Sequence, residues 1–166
     1  MNHLTVISNP FYTTQNRSIE PIDFIERWSL CRDLRQVIIR LKHATQTLHD
    51  DPEASLDALR LAWFHLHDKY LDERIRLSSG RTQDSILYDS PLLQKMRTSP
   101  FPMMAEAIAK EWGLSSHLKE VIFYITVFKN FYPLFPYMRP AFLKQALKHL
   151  EKEMNDKKQL IAPTTD

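Results

Sequence analysis

Val121-Ile122-Phe123-Tyr124-Ile125-Thr126-Val127-Phe128 is the stretch whose reading decides the fold of this chain. A run that is apolar on every face reads either as a strand buried in a sheet or as a helix enclosed by other helices. Its surroundings favour the helix. Ser115 or Ser116 supplies an N-cap hydroxyl just upstream, and Gly113 closes a periodic segment, Met103 to Trp112, that is itself helical in pattern. Nothing nearby offers a partner strand. The spacing therefore predicts a central helix from about Ser115 to Tyr132. The apolar run stops at Lys129, well short of the roughly 20 residues that a membrane-spanning helix needs, so no membrane insertion is expected.

Upstream, the breaker Ser99-Pro100-Phe101-Pro102 follows a short helical stretch, Pro91 to Arg97, and a polar break, Ser78 to Ser90. Before that break, Leu56, Leu59, Trp63, Leu66, Tyr70 and Leu77 repeat at helical spacing. Asp51-Pro52-Glu53 starts this helix with a capping acid, a first-turn proline and a first-turn acid. An earlier helix begins near Pro21 and carries Phe24, Cys31, Leu34, Ile38, Leu41 and Leu48, with Ile25 and Trp28 widening the stripe. So short a gap between the two helices predicts an antiparallel hairpin. Downstream, a last helix from Pro140 carries Leu143, Leu147, Leu150 and Met154. The expectation is an all-α, single-domain bundle of five to six helices. A long N-terminal antiparallel hairpin is joined to a C-terminal part built around the buried apolar helix. Residues 1–19 read as an irregular arm, 20–155 as the helical domain and 156–166 as a flexible tail.

Composition agrees with this class. A chain of 166 residues, 43% hydrophobic and 25% charged, has the length and apolar content of one folded domain. Only two glycines are present, so the tight turns of sheets and the loops that cradle phosphates have almost no raw material. A single cysteine excludes an internal disulfide framework, and Met1 to Thr14 lacks a basic segment followed by an apolar one. The expected setting is therefore soluble and cytoplasmic.

The search for chemistry starts with histidine. His65 and His67 lie on different faces of their helix, and the chain contains neither His-Glu-x-x-His nor Glu-x-x-His, so no metal, cofactor or catalytic residue is expected. Cys31, on the apolar stripe, reads as a small hydrophobe rather than a nucleophile. His67-Asp68 (or His49-Asp50), followed by the helix–Gly113-Leu114–helix unit, resembles the motif order of HD-superfamily phosphohydrolases. That resemblance implies a metal-dependent or degenerate hydrolase. The chain departs from it where the family commonly places paired histidines, since Tyr124-Ile125-Thr126 stands there. Arg27-Trp28, with Arg32 one turn on, resembles the first helix of Rsd/AlgQ-type anti-sigma regulators, which are all-helical.

Two binding readings follow. Residues 104–122 have the outline of a helix-turn-helix, with Ile108, Ala109, Gly113 and Ile122 in plausible places. Lys119 falls where that motif buries an aliphatic side chain, and a net charge of +2 is modest for nucleic acid. The other reading rests on an aromatic-proline stretch, in which Phe131, Tyr132, Leu134, Phe135, Tyr137 and Met138 interleave with Pro133, Pro136 and Pro140. Exposed, such a stretch is a protein-docking surface; folded down, it is a lid. With Arg139 at its rim and Arg32 and Arg35 on the basic first helix, it supports the favoured expectation. That expectation is a non-enzymatic adaptor, chaperone-like protein or regulatory subunit whose partner is another protein, self-association being compatible with it. DNA-binding regulation is the alternative, and a degenerate HD-like domain ranks below both. The acids of the second helix, Asp51, Glu53, Asp57, Asp68, Asp72 and Glu73, are expected to pair across the hairpin with the cations of the first.

Overall fold

The structure, a computed structural model, describes residues 19–77, 100–131 and 139–161, with the side chains of residues 77, 100–103, 130 and 131 outside that description. Within these residues the chain forms six helices and no strand: α1 (Pro21–Arg27), α2 (Arg32–Gln46), α3 (Pro52–Leu77), α4 (Pro100–Trp112), α5 (Ser116–Phe131) and α6 (Arg139–Ile161). The all-α expectation holds.

α2 and α3 make the N-terminal hairpin. Ser55 Oγ donates to the Ala44 carbonyl at 2.5 Å near the turn, and Asp33 Oδ1 meets His65 Nδ1 at 3.1 Å near the far end. These two contacts fix the antiparallel register. Asp51 caps α3 through the Ala54 N–H at 3.1 Å, with Pro52 in the first turn.

The single N-terminal helix expected from Pro21 to Leu48 is two helices. At the end of α1 the Ser29 N–H reaches the Glu26 carbonyl at 3.2 Å and the Leu30 N–H reaches the Ile25 carbonyl at 3.1 Å. This is the Schellman pattern, and Ser29 holds its left-handed position with φ 50°. The break buries Leu30 and lets Arg35 Nε donate to the Leu30 carbonyl at 2.8 Å.

Every residue from Val121 to Phe128 is buried, as expected of a central helix. α5 packs on α4 and α6 and touches α2, while α3 packs on α2 and α6. Each large apolar side chain enclosed on α5 contributes roughly 1.5–3 kcal/mol. The turn into α5 is built as its residues suggest. Gly113 takes φ 73°, the Leu114 N–H bonds the Ala109 carbonyl at 2.8 Å, and Ser115 Oγ accepts the Leu118 N–H at 3.2 Å. The last helix runs beyond the expected limit of Asn155 to Ile161. Lys157, Lys158, Gln159 and Leu160 are good helix formers with no glycine among them, and Lys157 is tied back to Glu153.

Candidate functional site

α3 is apolar on two opposite faces. One face holds Leu59, Ala62, Leu66 and Tyr70 in the core. The other presents Leu61, Phe64, Leu71 and Ile75 to solvent at 42%, 59%, 42% and 75% exposure. With Asp68 between them, the spacing is 3-4-3-4, a straight stripe along one side of a helix. Rise per residue makes it about 21 Å long.

Charges flanking the stripe are mostly satisfied within α3. Arg60 pairs with Asp57 at 2.7 Å at one end, and Arg76 with Asp72 at 3.7 Å at the other. Asp68, in the middle, is exposed and has no ion-pair partner among the described residues. The stripe is thus an apolar ridge with neutralised ends and one open carboxylate at its centre. The sequence signal for it was present: apolar residues at a second helical spacing, offset from the stripe that faces the core.

The expected cross-hairpin charge pairing is sparse among the described residues. Asp33 to His65 crosses the hairpin in the opposite sense, acid on the first helix, whereas Asp57, Asp72 and Glu73 pair with cations of α3 itself and Glu73 also with Arg139. Of the docking residues read from the sequence, Tyr132, Leu134, Phe135, Tyr137 and Met138 lie outside the described residues, as does the Phe131 side chain. Arg139 is turned inward. Its Nε and Nη2 donate to Glu73 at 2.6 and 3.0 Å, and its guanidinium lies 4.4 Å from the Phe128 ring centroid. It is therefore a strut between α6 and α3 instead of the polar rim expected from the sequence. Arg35 is exposed but engaged with the Leu30 carbonyl, and Arg32 is exposed at the start of α2.

Burial by itself would raise the Glu73 carboxyl. The hydrogen bond and charge of Arg139, followed by those of Lys69, outweigh that and hold it below the usual carboxylate range.

The remaining candidates disperse. His67 stacks on Trp63 with centroids 4.6 Å apart, while its neighbour Asp68 faces out. Cys31 is half-buried at the head of α2 and packs against the core. In the helix-turn-helix reading, Lys119 is tied to Glu106 at 3.0 Å, and from Val121 to Phe128 the second helix has no face left for a groove. Where α2, α3, α6 and the α4–α5 turn meet there is a cavity of about 150 Å³ beside Leu48, Leu59, Leu114 and Leu118. Its buried carboxylate, Glu153, is held by Ser115 Oγ at 2.6 Å and by Lys157 Nζ at 2.5 Å. Among the described residues no group of three or more His, Cys, Asp or Glu is placed to hold a metal ion, and no helix is long and apolar enough to cross a membrane. In comparison with known proteins, the chain matches no protein-family model, no curated protein and no solved structure.

Proposed function

We propose that this chain is a non-enzymatic protein–protein interaction protein, an adaptor or regulatory subunit, that receives an amphipathic helix of a partner along the outer face of α3. The observation that carries this reading is the exposed stripe Leu61, Phe64, Leu71 and Ile75. A helix that meets its own core with one face has no structural need for apolar side chains on the opposite one. Asp68 sets the chemistry of the partner: an apolar stripe in matching register with a Lys or Arg near its centre. That requirement argues against a second copy of α3 as the occupant, since a two-fold axis near residue 68 would set Asp68 against its own counterpart. A helix-on-helix contact of this length falls at the small end of specific interfaces, which suits a reversible association.

Site-directed photo-crosslinking in the native host tests the reading. A photoreactive side chain at position 64 or 71 captures one protein that the same group at the exposed Lys152 does not. Purified, that partner binds the wild-type chain and loses at least about tenfold in affinity to Asp68→Lys, with partial rescue when its own central cation is reversed. Identical capture from all three positions would sink the proposal. So would binding that is insensitive to Phe64→Ser and Leu71→Ser yet lost on Phe135→Ala with Tyr137→Ala, because docking would then lie in the aromatic-proline stretch. Retention on duplex DNA that falls steeply with salt would instead favour the nucleic-acid alternative.

A further inference from the structure

His117, in the first turn of α5, and His149, midway along α6, face each other with their Nδ1 atoms 3.4 Å apart. We propose that these two rings form a chelating site for a divalent transition-metal ion of the Zn²⁺ type, with Nδ1 of each histidine as ligand. The distance is the first argument. Zinc–imidazole bonds of about 2.0–2.1 Å at tetrahedral angles put two nitrogens about 3.3–3.4 Å apart. A hydrogen bond between two ring nitrogens prefers a separation of about 2.9–3.0 Å.

The second argument is orientation. Asp156 Oδ2 lies 3.9 Å from His117 Nε2, on the far side of that ring and beyond hydrogen-bond length, so its charge favours an Nε2 proton only through space while Nδ1 stays turned toward His149. Tyr124 stacks on His149 at 20° with centroids 6.0 Å apart, holding the second ring in place. Both histidines are half-buried, so an ion reaches them from solvent without opening the core. Because no third His, Cys, Asp or Glu converges among the described residues, water fills the remaining positions. Such a site binds far more weakly than a four-ligand structural zinc, and it ties α5 to α6 across 32 residues of chain.

The test is calorimetric titration of the chelator-treated full chain with Zn²⁺ alone, then with Co²⁺ alone. The expected result is one saturable site that is lost in His117→Ala and in His149→Ala, no further change in the double variant, and full retention in the exposed control His43→Ala. Asp156→Asn weakens it about tenfold. Zn²⁺ also raises the melting temperature of the wild type and not of the single variants. Where an alanine variant does not fold, as judged by circular dichroism, His149→Gln takes its place. The proposal is overturned if the chain takes up no Zn²⁺ at millimolar concentration, or if both single variants bind as tightly as the wild type.

Discussion

Arg139, at the start of α6, grips Glu73 near the end of α3 through two hydrogen bonds of 2.6 and 3.0 Å, and Glu73 as a residue is 1% exposed. Lys69 adds a third contact at 3.1 Å. Two cations thus converge on one enclosed anion, and the Phe128 ring lies beside both cations at 4.4 and 5.9 Å. The cluster ties the chain's last helix to the hairpin.

Glu73→Gln leaves Arg139 and Lys69 facing a neutral amide, and removal of one member of a buried pair costs about 3–5 kcal/mol. The pH dependence has a definite sign. Arg139 and Lys69 hold the folded carboxyl below its ordinary range. Its contribution is therefore complete above that range and is lost as pH falls through the folded value. Denaturant titrations at pH 7 and pH 3 should show a larger difference between wild type and variant at pH 7 than at pH 3.

Gln145 sits on α6 fully buried, and among the described residues neither its amide nitrogen nor its amide oxygen has a hydrogen-bond partner. An enclosed amide without partners costs about 1–3 kcal/mol. Gln145→Leu, close in shape, is expected to raise stability by roughly 1 kcal/mol or more, read as a higher denaturation midpoint at unchanged slope. A loss of stability would mean that the amide has a role the fold itself does not require.

Ser29 holds a left-handed backbone with φ 50°, a conformation that costs a side-chain-bearing residue roughly 1–2 kcal/mol. Ser29→Gly should recover about 1 kcal/mol and raise the melting temperature by about 2–4 °C for a chain of this size. Calorimetry on the two proteins checks it. Ser29→Val is expected to move the melting temperature the other way.

Ser115 serves two partners: its Oγ accepts the Leu118 N–H and donates to Glu153. Ser115→Ala therefore removes a helix cap and the hydroxyl that, with Lys157, holds the buried Glu153 carboxylate. A loss of about 1–2 kcal/mol is expected, at the upper end for a capping residue. Urea unfolding of Ser115→Ala beside Ser115→Asp separates the two roles, since aspartate restores the cap but repels Glu153.

Much of the architecture was legible because the punctuation was local. Asp51-Pro52, Gly113 and Ser115 act within a turn of where they stand, and the structure uses each as its chemistry suggests. The break at Ser29 was not legible, because a serine in the left-handed region leaves no compositional mark and the periodicity of Phe24, Ile25 and Leu34 runs straight past it. The sequence neighbours of Arg139 suggest a rim residue, whereas its place depends on Glu73, 66 positions earlier. The stripe on the outer face of α3 was hidden by success of another kind. Leu56, Leu59, Trp63, Leu66 and Tyr70 by themselves account for an amphipathic helix, and the second set of apolar positions adds nothing to that pattern.

The enclosed helix α5 also constrains the order in which the molecule can be completed. The α2–α3 hairpin is made of near neighbours in sequence and can form as soon as both helices leave the ribosome. α5 is synthesised later and finds cover on its remaining side only when α6 has emerged. During that interval Val121 to Phe128 is an adhesive segment of the nascent chain, rich in β-branched and aromatic residues and free of charge. A message truncated between residues 131 and 139 would therefore yield a product prone to aggregate, because α5 would lack the cover of α6.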